Sequence, residues 1–206
     1  MVFTNLDQIV NCIKDWIEIR DTPQAKDYLE TGNSFSHECT ETNNVLNAYP
    51  GICINKNVKE MYFFLIPQDQ DIEQKPEILF EKISYYKVVP NLGDPHEIPD
   101  EEALRRINNW NNGYPEWLDK EIEYKSSTGG VFKVFSMPSS YMKENGFYTT
   151  SLALKSSPAS EVDYTADLVT SYNDSDSSKS YYDTARPVPP FSASEDSFYL
   201  LQLAES

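Results

Sequence analysis

Apolar residues recur three and four positions apart near the start of the chain, at Leu6, Ile9, Val10, Ile13, Trp16 and Ile17. That spacing lines one face of a helix with 3.6 residues per turn. Thr4 and Asp7 have the form of a capping box ahead of this run, so the pattern predicts an amphipathic helix ending near Arg20. Thr22-Pro23 offers a fresh cap with proline at the first helical position, and Gly32 sits where a C-terminal left-handed residue would. A short second helix over about 23–31 is predicted.

From Phe35 to Asn44 the chain is polar and shows no period. Val45 to Ile54 and Val58 to Ile66 are apolar-rich and separated by Asn55-Lys56-Asn57, which predicts a hairpin. Tyr62-Phe-Phe-Leu-Ile66 is an unbroken apolar run ended by Pro67, the signature of a strand covered on both faces and central in its sheet. Helical spacing returns over 76–86 and in two stretches between Asp100 and Lys125, divided by Gly113 and Pro115. The segments 131–137, 147–154, 162–172 and 198–203 then read as strands. Runs of helices and strands without strict alternation predict an α+β fold, an antiparallel β-sheet with helices packed mainly on one face. A single domain over 1–206 is expected, helix-rich to about 126 and strand-rich from about 130, without internal repeats. The octet Asn173-Asp-Ser-Asp-Ser-Ser-Lys-Ser180 is expected to be an exposed, mobile loop. Arg186-Pro-Val-Pro-Pro-Phe191 has the character of a stiff edge connection.

Charge narrows the range of partners. Among 206 residues, 17 basic against 33 acidic side chains give a formal charge of -16. Such a chain repels phosphate backbones and anionic membrane surfaces, which argues against nucleic acid and membrane and favours a basic protein. Cys12, Cys39 and Cys53 are an odd set without a C-x-x-C pair, so neither a disulfide framework nor a zinc ribbon is signalled, and reduced, mostly buried thiols are expected. The first residues lack the basic and apolar regions of a secretory leader, and no apolar run approaches the roughly 18 residues that span a bilayer. The expectation is a soluble protein of the cytoplasm.

The densest grouping of chemically capable side chains is the segment 91–106, where His96 lies among Asp94, Glu97, Asp100, Glu101 and Glu102. Most of these carboxylates have a structural reason to be there. Asp100 can cap a helix while Glu101 and Glu102 meet the positive end of its dipole, with Arg105 and Arg106 further along. His96 with Asp94 and Glu97 is the alternative site, an imidazole and carboxylates able to hold a divalent ion or move a proton in a hydrolase. His37 and Cys39, two apart in an extended segment, share one side of the chain, although such neighbours point in parallel and not at each other.

Other motifs fail on their chemistry. Ser140-Tyr-Met-Lys143 matches Ser-x-x-Lys, but its companion elements are reversed or missing. Asp174 begins a calcium-loop pattern that Lys179 and Ala185 break at the glycine and glutamate positions. No Walker loop, Gly-x-Gly-x-x-Gly, Gly-x-Ser-x-Gly or His-Glu-x-x-His occurs, and no metal or cofactor is indicated.

Fourteen tyrosines and the stretch Trp110-Asn-Asn-Gly-Tyr114-Pro-Glu-Trp117, read as a turn between two helices, suggest recognition chemistry. The opposing reading places Trp110 and Trp117 in the hydrophobic seam between helices and sheet. The candidate binding residues are Trp110, Tyr114, Trp117, Asp100, Glu101, Glu116 and Asp119. The function expected from these features is a non-enzymatic domain that docks another protein, a basic one, as an inhibitor would. A hydrolase centred on His96 or on His37 and Cys39 is the alternative.

Overall fold

The computed structural model describes residues 2–39, 44–90, 101–139, 142–157, 161–173, 179–182, 185–189 and 198–206. In chain order these form α1 (Leu6–Ile19), α2 (Ala25–Leu29), β1 (Ser34–Cys39), β2 (Val45–Asn55), β3 (Val58–Pro67), α3 (Pro76–Glu81), β4 (Ser84–Lys87) and α4 (Glu101–Glu123). There follow α5 (Lys125–Thr128), β5 (Val134–Pro138), β6 (Gly146–Ser156), β7 (Tyr164–Asn173), β8 (Lys179–Tyr182), β9 (Arg186–Val188) and α6 (Tyr199–Glu205). The class is α+β, with two antiparallel sheets ordered β1-β6-β7-β8 and β4-β3-β2-β5-β9.

The predicted first helix forms, but its cap lies one residue later than Thr4. Asn5 Oδ1 accepts the Gln8 amide at 3.1 Å, while Gln8 Oε1 accepts the Thr4 amide at 2.9 Å. Two otherwise unpaired donors are thereby satisfied at the helix start. Leu6, Ile9, Cys12 and Ile13 then face the five-stranded sheet, where they meet Tyr49, Tyr62, Phe64 and Ile66 together with residues of α3 and α6. Each fully buried aliphatic side chain of this set contributes about 1.5–3 kcal/mol.

The hairpin of β2 and β3 turns at Lys56 and Asn57, both with positive φ, as a two-residue turn matched to strand twist requires. Its second strand is covered on both faces. Tyr62, Phe64 and Ile66 enter the cluster under α1, while Met61, Phe63 and Leu65 enter a second cluster shared with the other sheet. There the Phe63 ring stacks on Phe35 of β1 at 4.6 Å.

The segment 35–44, unpatterned in sequence, contributes β1. Phe35, His37 and Cys39 alternate inward, and the period is hidden because a histidine occupies an inward position. Its partner is β6, more than a hundred residues away in sequence. Ser34 also exchanges two backbone hydrogen bonds with Val89, just beyond β4, at 2.8 and 3.2 Å, so the edges of the two sheets meet. Gly32 serves this junction and not a left-handed cap: a Cβ there would lie 2.4 Å from the Val89 carbonyl carbon. Strands from both parts of the chain interleave, β1 with β6 and β2 with β5.

Two elements correct the sequence expectations outright. The stretch 101–123 is one continuous helix, with Gly113 and Pro115 inside it, and no turn separates Trp110 from Trp117. The residues 198–203, read as a strand, are instead the N-cap Phe198 and the start of α6, in which Leu200 and Ala204 are buried one turn apart. The helix predicted over 76–86 is shorter, ending at Glu81, and its last residues become β4. The polyproline stretch supplies β9, an edge strand, and of the octet 173–180 Asn173 ends β7 and Lys179 and Ser180 begin β8, with residues 174–178 outside the described set. Among the described residues no helix is long and apolar enough to cross a membrane.

Candidate functional site

A concave cleft of about 420 Å³ runs along the middle of α4, within the size range of small-ligand and side-chain binding pockets. One wall is helical: Asn108, Asn109, Asn112, Gly113, Glu116, Trp117 and Lys120 recur at intervals that keep them on one side of the helix. The other wall consists of Leu154 of β6 and Val162, Asp163 and Tyr164 at the turn into β7. The walls are joined by polar contacts. Lys120 Nζ lies 3.1 Å from Asp163 and 3.6 Å from Glu116, and these neighbours raise its pKa. Asn112 Nδ2 donates to the Asn108 carbonyl at 2.8 Å, and Asn109 Nδ2 to the Leu154 carbonyl at 3.4 Å.

Trp110 and Trp117 are buried beneath this cleft. Trp110 stacks on Tyr114 at 5.5 Å and contacts Trp117 at 5.6 Å, and Trp117 stacks on Phe132 at 6.3 Å. They form the seam between helix and sheets, so neither presents a surface ring, and Trp117 reaches the cleft only as part of its floor. Tyr114 is half-buried. Among the acidic candidates, Glu101, Glu116 and Asp119 are exposed. Asp100, together with the alternative site residues Asp94, His96 and Glu97, lies outside the described residues. The asparagines were the site residues missed in sequence. Their signal was present, since four amides in the five positions 108–112 are unusual within a helix that they do little to favour.

The first half of α4 is anchored separately. Arg106 Nη1 contacts Asp167 of β7 at 3.0 Å with both side chains nearly dry, and Arg106 Nε contacts Glu102 at 2.7 Å. Asp167 also accepts the Leu168 amide at 2.9 Å. Desolvation of such a pair is offset only by close geometry and added hydrogen bonds, and both are present here. Around it Ala103, Ile107, Ala153, Val169 and Tyr181 form a small apolar cluster.

His37 and Cys39 do share one side of β1, as expected, and that side is the interior. His37 is 1% exposed, Cys39 likewise 1%. The His37 ring sits among Phe35, Tyr86 and Tyr148, with Nε2 3.0 Å from Thr150 Oγ1, which in turn lies 2.9 Å from Thr170 Oγ1. Burial pushes its pKa down to about 4, so the imidazole is neutral at physiological pH. Cys39 belongs to one sheet and Cys53 to the other, and among the described residues no three His, Cys, Asp or Glu side chains converge as metal ligands. None of the three cysteines is in a disulfide; Cys12 and Cys39 are buried and Cys53 is partly exposed.

Comparison of the chain with protein-family models, with curated proteins and with solved structures gave no match.

Proposed function

We propose that the chain is a non-enzymatic binding domain of the cytoplasm that docks a basic protein through the outward side of α4 and the cleft beside it. One observation carries this reading. The helix is divided lengthwise, with Trp110, Trp117 and Leu118 in the core and Glu101, Glu116, Asp119 and Glu123 all exposed. At 3.6 residues per turn these four carboxylates fall within about 60° of one another around the axis, interrupted by Arg105, which is paired with Glu102, and by the neutral Asn112. The overall charge of -16 extends the same field over the rest of the molecule.

Complementary charge of this kind speeds encounter and fixes orientation, while the cleft offers amide groups able to donate and accept to a partner's backbone or polar side chains. A rigid, aromatic-backed helix is a suitable platform because its exposed residues need little ordering when a partner arrives. The buried positions of His37 and Cys39 leave a hydrolase at that pair as the weaker choice.

The test is capture from native lysate with the tagged protein at low salt, followed by elution with rising salt and mass spectrometry. A stoichiometric basic partner released between low and physiological ionic strength is expected, and its capture should fall when Glu116, Asp119 and Glu123 are jointly changed to lysine. Capture that is indifferent to both salt and this charge reversal would refute the proposal.

A further inference from the structure

We propose that the cleft beside α4 is a seat for an arginine side chain of the docked partner, its guanidinium bridging Glu116 and Asp163 in the place that Lys120 now fills. The partner comes from the docking reading above, on which this rests, while the seat stands on the geometry of the cleft. Glu116 belongs to α4 and Asp163 to the turn into β7, so the two carboxylates stand on opposite walls. Lys120 Nζ lies 3.6 Å from Glu116 Oε1 and 3.1 Å from Asp163 Oδ2, so a single cationic group can span them. Apart from the bond from Lys120 to Asp163, neither carboxylate accepts a hydrogen bond among the described residues.

Lys120 holds this position loosely. Its side chain is 35% exposed, and those of Glu116 and Asp163 are 80% and 64% exposed. Solvent screens such a pair and the long lysine stem must be ordered to make it, so little opposes its displacement. Two carboxylates against one ammonium also leave the cleft negative. A guanidinium matches it better, because its planar fork of five donors engages two carboxylates at once and is weakly hydrated. The same space is lined by Leu154 and Val162, against which the methylene stem of an arginine can lie, and by the half-buried ring of Tyr164, on which a guanidinium can stack. Asn108 and Asn112, exposed and one turn apart on the helical wall, offer amides to the backbone on either side of that arginine.

Asp163 is fixed in place by its backbone. Its φ is 63°, and its carbonyl accepts the Ser157 amide at 2.7 Å. Asparagine adopts the left-handed region as readily as aspartate, so Asp163→Asn removes the charge and keeps the turn.

The experiment titrates the isotope-labelled full chain with acetyl-Gly-Arg-Gly-amide and follows the side-chain amide resonances of Asn109 and Asn112 by NMR, with the lysine and citrulline tripeptides as controls. Saturable shifts are expected with the arginine peptide, weaker binding with lysine and none with citrulline. Lys120→Met, which empties the seat of its own charge, should tighten the arginine peptide about tenfold, and Asp163→Asn should weaken it about tenfold. Absence of a saturable shift, no preference over lysine, or failure of either substitution to move the affinity in its stated direction would overturn the assignment. Lysate capture separates this seat from the docking reading. A salt-released basic partner whose capture is unchanged by Asp163→Asn, yet lost on the charge reversal of Glu116, Asp119 and Glu123, would refute the seat and keep the docking. Peptide binding on the expected terms beside an empty capture would keep the seat and refute the docking.

Discussion

The carboxylate of Asp71 accepts the backbone amide of Leu200 at 3.0 Å, although 129 positions separate them in sequence. Leu200 lies in the first turn of α6, whose N-cap residue Phe198 offers no side-chain hydrogen bond, so the helix is capped from elsewhere in the fold. The other Asp71 oxygen accepts from Asn47 Nδ2 at 2.8 Å and from the Tyr49 hydroxyl, both on β2. Burial raises the pKa of this carboxyl while its hydrogen bonds oppose the rise.

Replacing Asp71 by alanine removes one acceptor from three buried donors. A loss of about 3 kcal/mol is expected, measured as a lower midpoint of denaturant unfolding. Hydrogen exchange should accelerate first in α6, since that helix loses its cap. Asp71→Asn, which keeps the shape and an acceptor oxygen, should lose less.

His37 makes stability depend on pH. Its pKa is about 4 in the folded chain against 6.5 when free, so between those values the unfolded state binds the proton more readily. Stability is therefore full above about pH 6.5 and falls as the pH drops, by about 3 kcal/mol on reaching pH 4 at roughly 1.4 kcal/mol per pH unit. In His37→Phe, which stays apolar among Phe35, Tyr86 and Tyr148, this share of the pH dependence should vanish. Urea unfolding of both proteins across that range checks it, and parallel curves would contradict the assignment.

Arg106 and Asp167 provide a test of mutual dependence. Arg106→Leu leaves a dry carboxylate without its ion partner and should cost about 3–5 kcal/mol, whereas the double change Arg106→Leu with Asp167→Leu should recover most of that loss. Thermal and denaturant unfolding of the four proteins in the cycle give the coupling energy. Equal destabilisation by the single and double changes would show that the pair contributes through packing and not through charge.

Two glycines should respond in opposite directions to the same methyl group. Gly113→Ala meets nothing within 4 Å and removes backbone freedom from a helix interior, which should stabilise by about 0.5–1 kcal/mol. Gly32→Ala drives its Cβ into the backbone at Val89 and should destabilise by about 2 kcal/mol or more, loosening the Ser34–Val89 junction. Unfolding midpoints of the two variants decide the matter.

Sequence pattern was most informative where the deciding interactions are local. The first helix could be read from six apolar residues at helical spacing, and its error of one residue at the cap arose because Asn5 and Thr4 are both competent acceptors. The β2–β3 hairpin could be read because its turn residues and flanking alternation lie within one short segment. Failures came where a distant contact overrode a local preference. Pro115 argued for a break, yet Trp110, Trp117 and Leu118 are held by Phe132 and the central cluster on either side of it, and the helix continues through. Phe198 to Leu203 fits either period, and the Asp71 carboxylate together with packing under α1 selects the helix.

The candidate site divides in the same way. The sequence determined by itself the α+β class, the strong negative charge and the acidic helix that begins near Glu101, because composition and periodicity are properties of neighbours along the chain. Only the tertiary structure decided that the two tryptophans turn inward, that the asparagines of α4 face Leu154 and Val162 across a cleft and that His37 is sealed from solvent. Each of these depends on which distant segments exclude water from one another, and that is settled by the packing of the whole chain rather than by the preference of any one stretch.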